Sequence, residues 1–221
     1  IGFRDLFSRF SWVIMVKDRT SATTINAFKI YVAVCRKRGF EVVGLDSDGI
    51  SEYVSEEFYD FCDEWAITRM ISCRYTSQNM AMIERLWGTM SRVRAVLNAG
   101  MVSFRNWGLV LVQAVNFVHN WLPHSAFDYL KSPCMMTPAG GKGNARNLKV
   151  LFTECWVLVP EEVRGSKNEP TAECGYVCGI SEVYKGWIVC LPERNEYVHS
   201  YHVRFNEDKY YMSDKIPQLQ L

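Results

Sequence analysis

The pattern of apolar residues changes character once along this chain, and that change sets what it can fold into. Up to about residue 123, short apolar runs alternate with amphipathic stretches of helical period. After a segment punctuated by Ser132-Pro133 and Thr137-Pro138-Ala139-Gly140-Gly141, only short β-rich runs follow. Alternation of strand and helix predicts a mixed sheet covered by helices. A succession of short strands separated by turns predicts a small antiparallel barrel or sheet. The chain of 221 residues is 48% hydrophobic and 14% aromatic, enough to bury a core in each part.

Within the first part, residues 11–17 read as a strand. Residues 23–38 read as a helix with Ile25, Phe28, Val32 and Cys35 on one stripe and Gly39 closing it. Residues 41–45 read as a strand, and 55–65 as a short helix capped by Ser55, with Glu56 and Glu57 in its first turn. Residues 67–72 read as a strand, followed by helices over 78–97 and 103–121, the latter stopped by Pro123. In the second part, strands are expected at 148–152, 155–159, 175–180, 186–191 and 197–205.

Two acids stand out by position. Asp48 follows the apolar run of residues 42–45, and Glu84 lies on the helix that opens near Gln78, with thirty-five residues between them. An acid at a strand end and an acid on a helix converge where both elements meet one sheet edge. Converging carboxylates hold hard divalent cations, and paired cations support phosphoryl transfer.

The flanking residues carry a family resemblance. Asp48-Gly49-Ile50-Ser51-Glu52-Tyr53 resembles the second-aspartate motif of retroviral-type integrases, Asp-Asn-Gly-x-Glu-Tyr. Gln78-Asn79 through Glu84-Arg85 resembles the motif that carries their final glutamate. Asp5-Leu6-Phe7-Ser8-Arg9-Phe10, the Trp107…Ala114…Asn120-Trp121-Leu122-Pro123 helix, Thr137-Pro138, and Ser200, Val203, Phe205 and Glu207 resemble segments of the Ty1/copia branch, in the right order. Gly49 follows Asp48 directly where the family has Asn, Ser77 stands for its Pro, and Met80-Ala81 replaces its Gly.

The resemblance implies an RNase H-like core over 1–130 lacking its first strand, a linker over 131–147, an SH3-like β domain over 148–211 and a tail over 212–221. It implies Mg²⁺ or Mn²⁺ held by Asp48 and Glu84, with the first catalytic aspartate on the absent strand, so that this chain alone does not join DNA. Gln78, Asn79, Arg85, Arg92, Lys142 and Arg146 are its candidate nucleic-acid contacts. DNA, in the form of element ends and target, is the implied partner, with homo-oligomerisation in the parent integrase. The implied setting is an intracellular element particle or the nucleus. The alternative is a catalytically inactive remnant that keeps the scaffold for binding.

Net charge is only +1, so nucleic-acid binding must rest on local patches rather than a global field. The stretch over 107–122 is too short to cross a membrane and contains Gln113, Asn116, His119 and Asn120. Eight scattered cysteines fit reduced thiols. Cys174 and Cys178 read as inward-facing core positions rather than half of a zinc site, and no zinc is expected. The N-terminus has no secretion signal, and the chain reads as a piece of a longer polyprotein.

Overall fold

The computed structural model describes residues 1–72, 77–99, 107–141, 147–181 and 183–210, with the backbone only for residues 77–80, 96–99, 107 and 210. It divides into two compact units. One holds Ile1–Ser91 and Val118–Gly143, and the other Arg92–Phe117 and Asn144–Leu221.

The first unit contains β1 (Gly2–Arg4), β2 (Ser11–Val13), α1 (Ser21–Lys37), β3 (Gly44–Ser47), α2 (Glu56–Glu64), β4 (Thr68–Ile71) and the start of α3 (Ser77–Ala99). Thr20 caps α1 by accepting from Thr23 N–H, and Ser55 caps α2 by accepting from Phe58 N–H. Aromatic rings dominate its core. Phe28, fully buried on α1, lies 5.3 Å from Phe3 of β1 and 6.0 Å from Phe58 of α2, ring centre to ring centre. Leu45 and Ile67 pack into the same cluster, so both pairs of strands cover one core.

These strands form two separate ribbons, β1 antiparallel to β2 and β3 parallel to β4. Each ribbon has an open edge. Ile1 and Ile14 exchange both backbone hydrogen bonds, and Asp5 N–H bonds the Phe10 carbonyl. By alternation, the backbone groups of Gly2 and Arg4 point away from β2. Thr68 N–H bonds the Val43 carbonyl and Ser72 N–H that of Ser47, so Gly44 and Asp46 point away from β4. None of these four backbones meets a hydrogen-bond partner among the described residues. A two-stranded parallel sheet on its own is unusual, because parallel pairs normally sit inside larger covered sheets.

The second unit contains α4 (Trp107–Gln113), continued by a π-helical stretch Ala114–His119 that crosses into the first unit, and a five-stranded antiparallel sheet. Its strands are β5 (Thr153–Leu158), β6 (Ala172–Ile180), β7 (Trp187–Leu191), β8 (Glu196–Ser200) and β9 (Val203–Tyr210), in the order β8-β7-β6-β5-β9. The sheet is forced to curl. A flat sheet would hold its edge strands about 19 Å apart. Yet β8 and β9 are those edges, and three Cα steps from Ser200 to Val203 span at most about 11 Å. Val157, Val177, Val189 and Leu191 fill the interior.

Three expectations need correction. Residues 148–152 contain no strand; Phe152 has φ 67° in a turn, and β5 begins at Thr153. The run 197–205 is two strands, because the chain leaves β7 for the far edge beside β5. Cys174 and Cys178 differ in burial despite equal parity, because a bulge between Val177 and Gly179 shifts the phase: Cys178 is buried and Cys174 half-buried. The bulge has a partner. The Gln113 side chain donates to the Ile180 carbonyl and accepts its N–H, both at 2.9 Å.

Candidate active site

β3 delivers Asp48 one residue past its end, and the side chain is exposed to solvent. The segment after it folds over α2. Ser51 Oγ donates to Glu52 at 2.9 Å, Glu52 pairs with Arg19 at 3.1 Å, and Tyr53 stands edge-on to Phe58 at 5.3 Å. Burial, and then the negative charges of Asp48 and Glu52, push the Tyr53 hydroxyl up to about 12. Asp48 is therefore close enough for its charge to be felt by Tyr53.

Glu84 is exposed on α3. That part of α3 rests on β1. Arg4 Nη1 donates to the Met82 carbonyl at 3.1 Å, and Trp87 lies over Gly2, where an added Cβ would meet its ring at 3.0 Å. Asp48 and Glu84 thus stand on different elements of the same unit, one just past β3 and the other on a helix laid against β1.

Of the other candidates, Arg85 and Arg92 are exposed on α3. Gln78 and Asn79 lie in its first turns, with only their backbone described, and Lys142 and Arg146 lie outside the described residues. Among the described residues, no three His, Cys, Asp or Glu side chains group closely enough to hold a metal ion. Two carboxylates alone make an incomplete donor set for Mg²⁺ or Mn²⁺, which take about six oxygen ligands and are held by carboxylates together with water and substrate. No metal-dependent step is derived from these residues.

A cationic group escaped the sequence reading because its members come from four separate segments. Arg4 Nη2 and His124 Nε2 are 3.1 Å apart, and the His119 and His124 rings meet edge-on at 5.3 Å. Arg9 contacts the Met82 sulfur. Burial, then the charges of Arg9 and Arg85, pull Arg4 down to about 10; burial, then Arg4 and His124, pull His119 down to about 4.

Residues 153–218 match the family described as the retroviral polymerase SH3-like domain. Over 210 residues, 95% of the chain, the sequence is 24% identical to the retrovirus-related Pol polyprotein from transposon TNT 1-94 of Nicotiana tabacum. The chain is homologous to a retrotransposon Pol polyprotein. It spans 15% of that polyprotein's length. A chain of the cryoEM structure of the simian T-cell lymphotropic virus intasome in complex with PP2A regulatory subunit B56 gamma aligns with a TM-score of 0.50 at 17% identity, over 85% of this chain and 68% of that one. The HTLV-2 integrase catalytic core domain in complex with magnesium aligns at 0.48 and 19% identity, over 62% and 82%. The chain thus shares its fold with a chain of that intasome structure, and its C-terminal sheet falls in the part that matches the SH3-like family.

Proposed function

We propose that this chain is the integrase region of a Ty1/copia-type retrotransposon, taking part in metal-dependent insertion of element DNA. In this reading the core runs to about residue 130, and the β domain occupies about 148–211. The observation that carries it is the pair of open ribbon edges over one core. A single strand seated between them would bond Gly2 and Arg4 on one side and Gly44 and Asp46 on the other. It would turn two marginal ribbons into one five-stranded mixed sheet. A carboxylate on that strand would join Asp48 and Glu84 to complete the donor set for Mg²⁺ or Mn²⁺, the group that supplies charge stabilisation in phosphoryl transfer. Gln78, Asn79, Arg85, Arg92, Lys142 and Arg146 would contact DNA phosphates.

The lack of a three-donor group among the described residues favours a second reading for the chain as it stands: a scaffold that binds DNA without joining it. One assay separates the two. The 221-residue chain is incubated with labelled duplex and Mn²⁺, alone and with the polypeptide encoded upstream. Binding without joining alone, and joining on complementation that Asp48→Asn and Glu84→Gln both abolish, supports the integrase reading. Joining that survives either substitution removes these acids from the site. Failure of complementation leaves the scaffold reading standing.

A further inference from the structure

We propose that Arg4, Arg9, His119 and His124, with Arg85 beside them, form an oxyanion site that takes one phosphodiester group of a nucleic-acid strand. The residues come from β1, the β1–β2 turn, the π-helical stretch, the turn after it and α3, and all lie in the first unit. Two contacts fix the frame: Arg4 Nη1 on the Met82 carbonyl and Arg4 Nη2 beside His124 Nε2, each at 3.1 Å. Two buried nitrogens within it, Arg4 Nε and His119 Nε2, have no hydrogen-bond partner among the described residues. The Arg4 Nε–H is a buried donor without an acceptor, which is costly and rare, and the Nε2 lone pair of neutral His119 becomes a second donor there when an anion favours its protonation.

The charge balance leads the same way. Every acid of the first unit lies among the described residues, since residues 73–76 and 142–143 include none. Among those acids, the ion pair in this unit joins Glu52 to Arg19, and none reaches Arg4, Arg9 or Arg85. The Asp5 carboxylate, the nearest in sequence, accepts from the Ser8 N–H and hydroxyl instead. Glu84, next to Arg85, is exposed. Uncompensated cations in partly buried positions repel one another, and burial with that repulsion keeps His119 neutral in the free protein. An anion relieves the repulsion and favours protonation of His119, while His124, whose Nδ1 accepts from the Ala126 N–H at 3.0 Å, already carries its proton on the Nε2 that faces Arg4. Planar guanidinium forks and imidazole N–H groups from several directions suit the tetrahedral oxygens of phosphate.

The choice of a nucleic-acid phosphate rests on the integrase reading; the oxyanion site itself does not. The test therefore has two arms on the full chain. In the first, sodium phosphate is titrated against sodium chloride at equal ionic strength, while the histidine ring resonances are followed by NMR. The His119 and His124 signals are expected to shift, and the His119 titration midpoint to rise. Rings that respond equally to both salts overturn the site. In the second, affinity for a short DNA duplex is measured. Arg9→Gln and His124→Asn, chosen because Arg4 also ties β1 to α3, should each weaken it about tenfold, with a salt slope shallower by about one for Arg9→Gln. Lys167→Gln, an exposed control, should leave it unchanged. Ring shifts with phosphate but unaltered DNA affinity in both variants overturn the phosphodiester occupant, as does an acidic peptide that moves these signals where DNA does not. No DNA binding by the unsubstituted chain sinks the integrase reading instead.

Discussion

Asn120 grips the backbone of Ser11 with both ends of its amide: Oδ1 accepts from the Ser11 N–H at 2.9 Å, and Nδ2 donates to the Ser11 carbonyl at 2.6 Å. Both residues are fully buried. The amide does for the outer edge of β2 what a neighbouring strand would do. The edge of β2 is therefore closed, while that of β1 is open.

Replacing Asn120 by Leu removes both bonds and leaves a buried N–H and carbonyl unpaired. The expected loss is about 2–5 kcal/mol of stability in the first unit. Urea denaturation measures it, and a loss below about 1 kcal/mol would show that water takes over the amide's role.

Gly179 holds the bulge of β6 against Gln113. Its φ is +154°, and an added Cβ would stand 2.3 Å from the Gln113 side-chain carbon. Gly179→Ala is expected to destabilise the second unit by about 2 kcal/mol or more, from backbone strain and the broken clamp. Hydrogen exchange should speed up in β6 and β7 and stay unchanged in β2. Uniform acceleration in both units would contradict this assignment.

Phe28 is buried among Phe3, Phe58 and Phe61. Phe28→Ala should cost about 3–5 kcal/mol, and Phe28→Leu clearly less. Equal losses for the two would mean that the volume Leu retains adds nothing and that the ring contacts carry the whole effect.

His119 gives the first unit a pH dependence. Its folded value, about 4, lies below the unfolded value, about 6.5, so the unfolded chain binds more protons between them. Stability should therefore fall as pH drops through that window, by on the order of 3 kcal/mol in full, and be regained as pH rises. His119→Gln should flatten the profile in thermal melts across that range. An unchanged slope would assign the acid sensitivity to other groups.

Adding Mg²⁺ or Mn²⁺ should not raise the melting temperature of the chain by itself, because Asp48 and Glu84 are exposed and no third donor joins them among the described residues. A rise that Asp48→Asn removes would reveal a site already complete.

Local signals were readable wherever the physics is local. Ser55 capped α2 where a Ser followed by two glutamates said it should, and the Phe28, Val32 and Cys35 stripe of α1 faced the core. The strand leading to Asp48, the helix bearing Glu84 and the change to β texture were equally legible, because side-chain period follows backbone geometry within a few residues. Tertiary pairing decided the rest. The run over 197–205 has the pattern of one strand, and only the far edge at β5 splits it. Cys174 and Cys178 share a parity that the bulge overrides. The Asn120 and Gln113 clamps, the open edges of β1 and β3, and the cationic group around Arg4 join segments up to 120 residues apart. Such contacts are set by how whole elements pack around a core, and no window of sequence records that arrangement.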